Sequence, residues 1–481
     1  MPIPSARQPA RKFWHLLSLL LLILLPACQT VSTTTPIAAS TIPAATRTIA
    51  PRVTSTATMP VHLQVEGKDL RGLQIRFLHP WAGDTANAIE LLVDTFNRSN
   101  EWGFKVNAES AGGTGILYQE ITGMDAGDLP NLIAAPAEYL FSWNQAHPEM
   151  LVNLNEYIQH AEWGLTQDQI DDFIPIFWQQ DVTGDDRLGI PLMRDASVLF
   201  YNQSWAQELG FTHPPTTPDE FRQQVCAAAA ANRSDRTVAN DGTGGWIVET
   251  RAVTLWSWLR SFDSDPIPAG TDAYKFAMPE SEAAFTFLRG LVDENCAWKS
   301  RLAAPYEYFA NRQALFYSGV LEDTLIQAHT MDRLKISDQW TAIPYPSLDG
   351  QPVVVASGPS LAVTGSSPEE QLASWLFVRW LLAPEHLAEL TKVAGGLPVT
   401  RSAAAALQKF GNEQPQWLAG ENYLEQVQTP PANATWRTVR SLLEDAGYQA
   451  LLPSLKPEQI PDVLKMLDEM IVDLGTPPDE K

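Results

Sequence analysis

Apolar and polar positions follow two different periods from about residue 70 onward. Residues 73–77 place an apolar side chain at every second position, which predicts a strand. Residues 89–96 repeat apolar side chains at helical spacing, and Asp84 or Thr85 is expected to cap that helix. A short apolar run at 132–134 predicts the next strand. Strand, helix and strand in this order predict an α/β fold with a parallel sheet and crossover helices.

Five later segments are predicted to be helical. Residues 217–220 (Thr-Pro-Asp-Glu) and 367–370 (Ser-Pro-Glu-Glu) each combine a capping hydroxyl, a proline at the first helical position and an acid at the third. Residues 280–295 have one apolar face, and the segments 436–446 and 457–474 also repeat apolar residues at helical spacing.

The first 28 residues have the pattern of an export signal. Three positive charges precede the apolar run Leu16–Leu25, which is shorter than the roughly 20 residues of a membrane-spanning helix and fits a signal peptide. The run ends in Leu25-Pro26-Ala27-Cys28. This resembles the bacterial lipobox, whose cysteine is lipidated and becomes the first mature residue, although Pro26 is unusual there. Ordinary signal cleavage near Cys28 and an uncleaved anchor remain alternatives.

Residues 29–69 are predicted to form a disordered tether between the lipid and the folded domain. The segment 29–60 contains ten Thr, six Ala and four Pro, and it has no acidic residue. A chain of this composition buries too little apolar surface to offset the entropy lost on ordering. It is typical of a flexible linker.

Charge and cysteine content exclude several classes of protein. Lys and Arg number 33 against 56 Asp and Glu, which gives a net charge of −23. Such an excess of acid opposes nucleic-acid binding and electrostatic docking on an anionic membrane. Three cysteines are too few for a disulfide-built scaffold or a multi-cysteine zinc module. No cofactor or metal is expected, because the acidic stretch 181–186 lacks the residue order of a calcium loop and is predicted to be a hairpin turn.

Residues 189–221 carry a series of short motifs in a fixed order, and three further segments follow them, at 309–316, 344–360 and 377–398. The motifs of the first stretch are Gly189-Ile190-Pro191, Leu199-Phe200-Tyr201-Asn202, Leu209-Gly210, Pro214-Pro215 and Thr217-Pro218-Asp219-Glu220. Together the segments resemble the extracellular solute-binding proteins of ABC importers, in particular their sugar-binding, maltose-binding-protein-like group. Arg312 and Pro359 stand where that group has glycine.

The resemblance implies a type II periplasmic-binding-protein fold. In this α/β fold two lobes, each a mostly parallel sheet flanked by helices, are joined by three hinge crossings. The matching positions place the crossings near 193–197, 316–320 and 364–368. The lobes then comprise 70–193 plus 320–365 for lobe one and 197–316 plus 368–481 for lobe two.

The resemblance also implies a function. The chain is expected to capture a small solute, a sugar or oligosaccharide, between closing lobes and to deliver it to the transmembrane subunits of an ABC permease. It would act as a non-catalytic, extracytoplasmic monomer, anchored to the cell membrane through a lipid on Cys28. A surface adhesin or receptor ectodomain of the same fold and a glycan-active enzyme are alternatives, although no spacing singles out a catalytic carboxylate pair.

Eight residues are candidate solute contacts, because an indole can cover the C–H face of a sugar while polar groups bind its hydroxyls. They are Trp81, Glu138, Tyr139, Arg194, Asp195, Trp256, Gly358 and Gly396. Trp81 and the pair Glu138–Tyr139 follow predicted parallel strands, whose carboxyl ends face the cleft in such folds. Other roles stay open: core packing for the tryptophans, an ion pair for Arg194 and Asp195, and tight turns for the glycines.

Cys226 and Cys296 both fall in the predicted second lobe. Export would place them in an oxidising compartment, where disulfides form and persist. A bond between them would close a loop of about 71 residues. The sequence therefore favours a disulfide over two separately buried thiols.

Overall fold

The computed structural model describes residues 64–475, except 269–270, 272 and 303. The predicted signal peptide, Cys28 and the tether before residue 64 lie outside the described residues. The strands are β1 (Gln74–His79), β2 (Lys105–Ser110), β3 (Leu132–Ala135), β4 (Val182–Thr183), β5 (Asp186–Arg187), β6 (Ile190–Pro191), β7 (Asp195–Asn202), β8 (Gly244–Ile247), β9 (Ala297–Trp298), β10 (Ala314–Val320), β11 (Trp340–Ile343), β12 (Val355–Ser357) and β13 (Ser360–Val363). The α-helices are α1 (Gly83–Ser99), α2 (Thr114–Thr122), α3 (Ala137–Ala146), α4 (Asn155–Ile158), α5 (Gln167–Asp172), α6 (Pro175–Gln179), α7 (Gln203–Glu208), α8 (Pro218–Ser234), α9 (Ala252–Ser261), α10 (Pro279–Asp293), α11 (Tyr306–Ala310), α12 (Asp323–Leu334), α13 (Pro368–Leu381), α14 (Pro384–Ala394), α15 (Arg401–Ala406), α16 (Gln408–Glu413), α17 (Pro415–Glu421), α18 (Trp436–Ala450) and α19 (Ile460–Gly475).

The first sheet has the strand order β2-β1-β3-β13-β6. Strands β1, β2 and β3 are parallel, whereas β13 runs antiparallel to both β3 and β6. The alternation at 73–77 correctly predicts β1. We call this sheet and the helices packed on it the first lobe.

The second sheet has the order β11-β7-β10-β8-β9, and β12 also pairs with β7. Strands β8, β9 and β10 are parallel, and β7 runs antiparallel to β10, β11 and β12. This sheet and its helices form the second lobe. The predicted α/β fold class is confirmed, but each lobe combines parallel and antiparallel pairings, so the sheets are mixed and not mostly parallel.

Two of the three crossings between the lobes lie at different places from those predicted. The first crossing lies at 192–194, between β6 and β7, close to the expected position. After β10 the chain stays with the second sheet, because β11 and β12 both pair with β7. It returns to the first sheet only at 358–359, between β12 and β13. The predicted crossing at 316–320 is therefore wrong, and residues 320–357 belong to the second lobe.

The helices after β13 divide between the lobes. Helices α13 and α14 pack on β1, β13 and α1, and a bridge joins Thr400, just before α15, to Phe173 of the first lobe. Helices α17, α18 and α19 instead pack on β11, α9 and α10 of the second lobe. The assignment of the whole segment 368–481 to lobe two is thus wrong for α13, α14 and α15, and the third crossing lies between α15 and α17.

Both predicted capping boxes are confirmed. The hydroxyls of Thr217 and Ser367 accept hydrogen bonds from the backbone N–H groups of Glu220 and Glu370, and α8 and α13 begin one residue later. The expected cap of α1 is wrong, because this helix begins at Gly83 and has no side-chain cap. The fold also starts slightly before residue 70, with a 3-10 helix at Gly67–Leu70. None of the helices in the described part of the chain has the length and apolar character needed to cross a membrane.

A disulfide joins Cys226 to Cys296, as the sequence predicts. Their Cα atoms are 4.4 Å apart, within the usual range for such a bond. Cys226 belongs to α8, and Cys296 lies between α10 and β9. The bond therefore fastens α8 to the turn that precedes an edge strand of the second sheet.

Candidate functional site

A cavity of about 210 Å³ lies where the chain passes between the lobes. We call it the hinge cavity. Segments of the first two crossings contribute to its wall, together with Gly396, the start of α2 and the residues that follow β1 and β10. Its lining residues are Pro80, Trp81, Thr114, Met193, Arg194, Asp195, Glu322, Gly358, Pro359 and Gly396. Five of the eight candidate contacts are thus brought together here.

Trp81 reaches the hinge cavity from the loop that follows β1. The carboxyl ends of parallel strands meet at one edge of the sheet, and this loop therefore faces the cleft. The half-buried indole lies 5.5 Å from the ring of His79, which is buried. Burial lowers the pKa of His79 to about 4, so the imidazole is neutral at pH 7. Trp81 therefore packs beside a neutral imidazole and exposes part of its indole to the cavity.

Two carboxylates, Asp195 and Glu322, also line the hinge cavity. Asp195 begins β7, and its Oδ1 accepts hydrogen bonds from the backbone N–H groups of Ala196 at 2.9 Å and Glu322 at 3.3 Å. Burial, and then the like charges of Glu322 and Asp323, raise the pKa of Asp195. Burial and the like charge of Asp323 raise the pKa of Glu322 to about 7, whereas the positive charge of Arg251 opposes the shift. The residue keeps contact with solvent.

Arg194 is fully buried, and its guanidinium is occupied by protein groups. It pairs with the buried carboxylate of Asp181 at 3.6 Å rather than with its neighbour Asp195. The guanidinium also donates hydrogen bonds to four oxygens. These are Gln180 Oε1, Ser360 Oγ and the carbonyls of Met193 and Pro359. Arg194 is therefore a structural element of the cavity wall whose charge is already compensated by Asp181. Of the alternatives left open by the sequence, an ion pair between Arg194 and Asp195 does not form.

Glu138 and Tyr139, in the first turn of α3, are buried but do not line the hinge cavity. Both contact Arg440 of α18: Nη1 donates to Glu138 Oε1 at 3.3 Å, and Nη2 donates to the Tyr139 hydroxyl at 2.8 Å. Burial raises the pKa of Glu138, while the positive charge of Arg440 opposes that shift. Their polar groups thus have a protein partner from the other lobe.

Trp256 lies at a second interlobe cavity of about 710 Å³, which we call the outer cavity. Its walls come from Phe141, α6 and β4 of the first lobe, from α9 of the second, and from residues 427–433. Only 4% of Trp256 is exposed, because its ring packs edge-on against Trp436 with 5.1 Å between centroids. Trp258 lies fully in the core. Trp256 is therefore mainly a packing residue with one edge at this cavity.

Gly358 and Gly396 are required because their backbone segments closely approach the first crossing at Met193 and Arg194. A Cβ atom at Gly358 would lie 2.5 Å from the carbonyl oxygen of Met193, and one at Gly396 would lie 2.5 Å from that of Arg194. Neither φ is in the left-handed region, so the constraint is one of space. Both glycines line the hinge cavity because they allow backbone segments to meet there.

A family model for bacterial extracellular solute-binding proteins matches residues 92–419, more than half of the chain. The chain belongs to this family. The family is extracellular, and its members bind solutes. The search among curated proteins gives no match.

Solved structures show that this solute-binding protein shares the type II fold. The cyclic α-maltosyl-1,6-maltose binding protein of Arthrobacter globiformis has a TM-score of 0.69 and 19% identity, covering 84% of this chain and 100% of that one. The sugar-binding protein MalE of Xanthomonas citri has a TM-score of 0.70 and 19% identity, with 84% and 98% coverage. UgpB of Mycobacterium tuberculosis, solved with glycerophosphocholine, has a TM-score of 0.66 and 14% identity, with 84% and 99% coverage.

Sequence reasoning about this solute-binding protein missed Thr114 and Glu322. Thr114 begins α2 after a pair of glycines, and Glu322 lies between β10 and α12. Each residue follows the carboxyl end of a parallel strand, and this position could have identified both as candidate contacts. Because residues 320–357 were assigned to the wrong lobe, Glu322 was not considered as a contact from the second lobe.

A third cavity, of about 840 Å³, lies at the carboxyl ends of β8 and β9 in the second lobe, and the sequence did not predict it. Its walls include Trp298, Tyr306 and Tyr448. Arg251 at its edge pairs with Glu249 at 2.9 Å. All its lining residues lie in the second lobe or in the segments packed on it, so this cavity does not couple the two lobes.

Proposed function

We propose that this chain is the capture subunit of an ABC importer, which binds a carbohydrate at the hinge cavity and releases it to a membrane permease. The hinge cavity carries this proposal, because Trp81 and Thr114 of the first lobe meet Asp195 and Glu322 of the second there. A ligand drives closure only if it binds the closed form more tightly than the open form. A solute that contacts both lobes meets this condition.

The groups around the cavity suit a polyhydroxylated ring. The indole of Trp81 can cover the C–H face of a pyranose, and carboxylate oxygens of Asp195 and Glu322 can accept hydrogen bonds from its hydroxyls. The volume of about 210 Å³ equals that of about seven molecules of liquid water, which limits the buried part of the solute to about one sugar ring. The sugars named for the structural neighbours agree with this class of solute.

The same groups disfavour anionic solutes. The raised pKa values of Asp195 and Glu322 mean that this pair holds less than its full negative charge at pH 7, and the one cation among the described residues of the cavity wall, Arg194, is already compensated by Asp181. A phosphate or carboxylate brought into the cavity would therefore lose hydration without gaining a free cationic partner. We expect neutral or amine-bearing sugars to bind and their phosphorylated counterparts to be rejected.

Isothermal titration calorimetry with glucose, maltose, glucosamine and glucose 6-phosphate tests this function. We expect at least one neutral or amine-bearing sugar to bind with a micromolar dissociation constant, about −8 kcal/mol, and to be recovered chemically unchanged. Tighter binding of glucose 6-phosphate than of glucose would contradict the assignment of charges. Hydrolysis of maltose would indicate a glycan-active enzyme instead.

Replacing Trp81 by alanine is expected to weaken the binding of any sugar found in this way by 10- to 100-fold. The loss combines buried apolar area with the stacking contribution of about 0.5–1.5 kcal/mol for an aromatic ring. Trp102→Ala is the matched control, because Trp102 is also partly buried but packs on Phe104, away from both interlobe cavities. Equal affinities of Trp81→Ala and the unchanged protein would show that the solute binds elsewhere.

The proposed function includes a membrane anchor at Cys28. The support is the box Leu25-Pro26-Ala27-Cys28 followed by the Thr-rich segment. Mass spectrometry of protein extracted from bacterial membranes should find a diacylglyceryl group on Cys28, and Cys28→Ser should release the protein from the membrane fraction. A mature N-terminus at another residue, with an unmodified Cys28, would contradict this prediction.

A further inference from the structure

Two arginines of α18 reach across the cleft to the first lobe. Arg440 donates hydrogen bonds to Glu138 and to the Tyr139 hydroxyl, as described above. One turn earlier, the guanidinium of Arg437 lies 4.4 Å from the ring centroid of Tyr118 in α2, a cation–π distance. Tyr118 and Tyr139 are themselves neighbours, with ring centroids 4.7 Å apart. The two arginines thus contact neighbouring polar and aromatic side chains of the first lobe, and we call this contact region the junction.

These contacts join the lobes, because α18 is firmly part of the second. Helix α18 packs on α9, α10 and α19, and its first residue, Trp436, is buried against Trp256 and Tyr274. Helices α2 and α3 follow β2 and β3 of the first sheet. An opening motion that separates the lobes at this point would break the contacts of both arginines.

The two charged partners of the junction, Glu138 and Arg440, differ in their exposure to solvent. The side chain of Glu138 is only 10% exposed, whereas that of Arg440 is 34% exposed. Arg194 and Asp181 are the other charged groups that act on Glu138, and they compensate each other. A buried carboxylate requires a partner, and Arg440 supplies it only while the lobes are together.

The junction also lies close to both interlobe cavities. Thr114, one turn before Tyr118, lines the hinge cavity, and Phe141, almost one turn after Glu138, lines the outer cavity. A solute that occupies the hinge cavity need not displace either arginine.

We propose that Arg437 and Arg440 form an interlobe latch that holds the lobes together without solute. This inference rests on the proposed function, since it describes how the same cleft is closed. Breaking the latch lowers the fraction of closed protein, and apparent affinity falls with the fraction of the binding-competent state. The latch thereby raises retention of a solute bound in the hinge cavity.

Small-angle X-ray scattering of the solute-free, Cys28→Ser protein tests the latch without knowledge of the solute. A compact body of this size has a radius of gyration of about 22 Å. We expect the double variant Arg437→Ala/Arg440→Ala to increase the radius by on the order of 1 Å, since hinge opening moves whole lobes apart. Raising the salt concentration should produce part of the same expansion in the unchanged protein, because charge pairs at a partly exposed site are screened.

Arg333→Ala is the matched control, because Arg333 forms an exposed ion pair with Glu307 inside the second lobe. Its radius should equal that of the unchanged protein. Tyr139→Phe keeps the ring and removes one latch hydrogen bond, so it gives a smaller expansion with little risk to folding, which circular dichroism checks. Identical radii for the double variant, Tyr139→Phe and the control would overturn the latch. That result would not contradict carbohydrate binding. Failure of the sugar titrations would contradict the proposed function but not the scattering evidence for the latch.

Discussion

Replacing Asp181 by alanine should lower the free energy of unfolding by about 3–5 kcal/mol, because it leaves the buried charge of Arg194 without a counterion. Both side chains are completely inaccessible to solvent. Burial raises the pKa of Asp181 and lowers that of Arg194, and in each case it outweighs the attraction of the partner. The pair is therefore costly to bury but much more costly to break.

Urea denaturation of the alanine variant measures this effect. Glu307→Ala provides the control, since it removes an ion pair with Arg333 in which both side chains are about half exposed, and such pairs contribute less than about 1 kcal/mol. The double variant Asp181→Leu/Arg194→Met should recover much of the loss, because it removes both buried charges. Equal stability of Asp181→Ala and Glu307→Ala would contradict the prediction.

Loss of the Cys226–Cys296 disulfide should lower the free energy of unfolding by about 4 kcal/mol, the value that loop-closure entropy gives for about 70 residues. The variant Cys226→Ser/Cys296→Ser, in a protein that also lacks Cys28, measures this loss by urea denaturation. The disulfide joins elements 70 residues apart in sequence. Its removal therefore increases the freedom of the unfolded chain more than it changes the folded contacts.

Arg222→Ala is the matched control for the disulfide. Arg222, one turn before Cys226 in α8, forms an ion pair with Glu294, which lies two residues before Cys296. Both side chains are at least 40% exposed, so this link between the same two segments should contribute less than about 1 kcal/mol. Two free thiols in the denatured, unreduced parent protein lacking Cys28 would contradict the predicted bond directly.

The sequence predicts best what depends on neighbouring residues. The capping boxes at Thr217 and Ser367 fix the starts of α8 and α13 to the residue, since hydroxyl, proline and acid act within one turn. The alternation in β1 and the apolar faces of α1 and α10 are equally local. The motifs around Gly189–Asn202 carry the family resemblance that implies a first crossing near 193–197, close to its position at 192–194.

Only the tertiary structure decides which distant segments meet. Strands β11 and β12 pair with β7, more than 130 residues earlier in the chain, and nothing in their own residues distinguishes this from pairing in the first sheet. Arg194 has a carboxylate beside it in sequence but pairs with Asp181. Glu138 meets Arg440 from 302 residues away. The periodicity of apolar residues indicates whether a side chain is buried. The identity of its partner depends instead on how the two lobes pack, and the residues of one segment do not encode that packing.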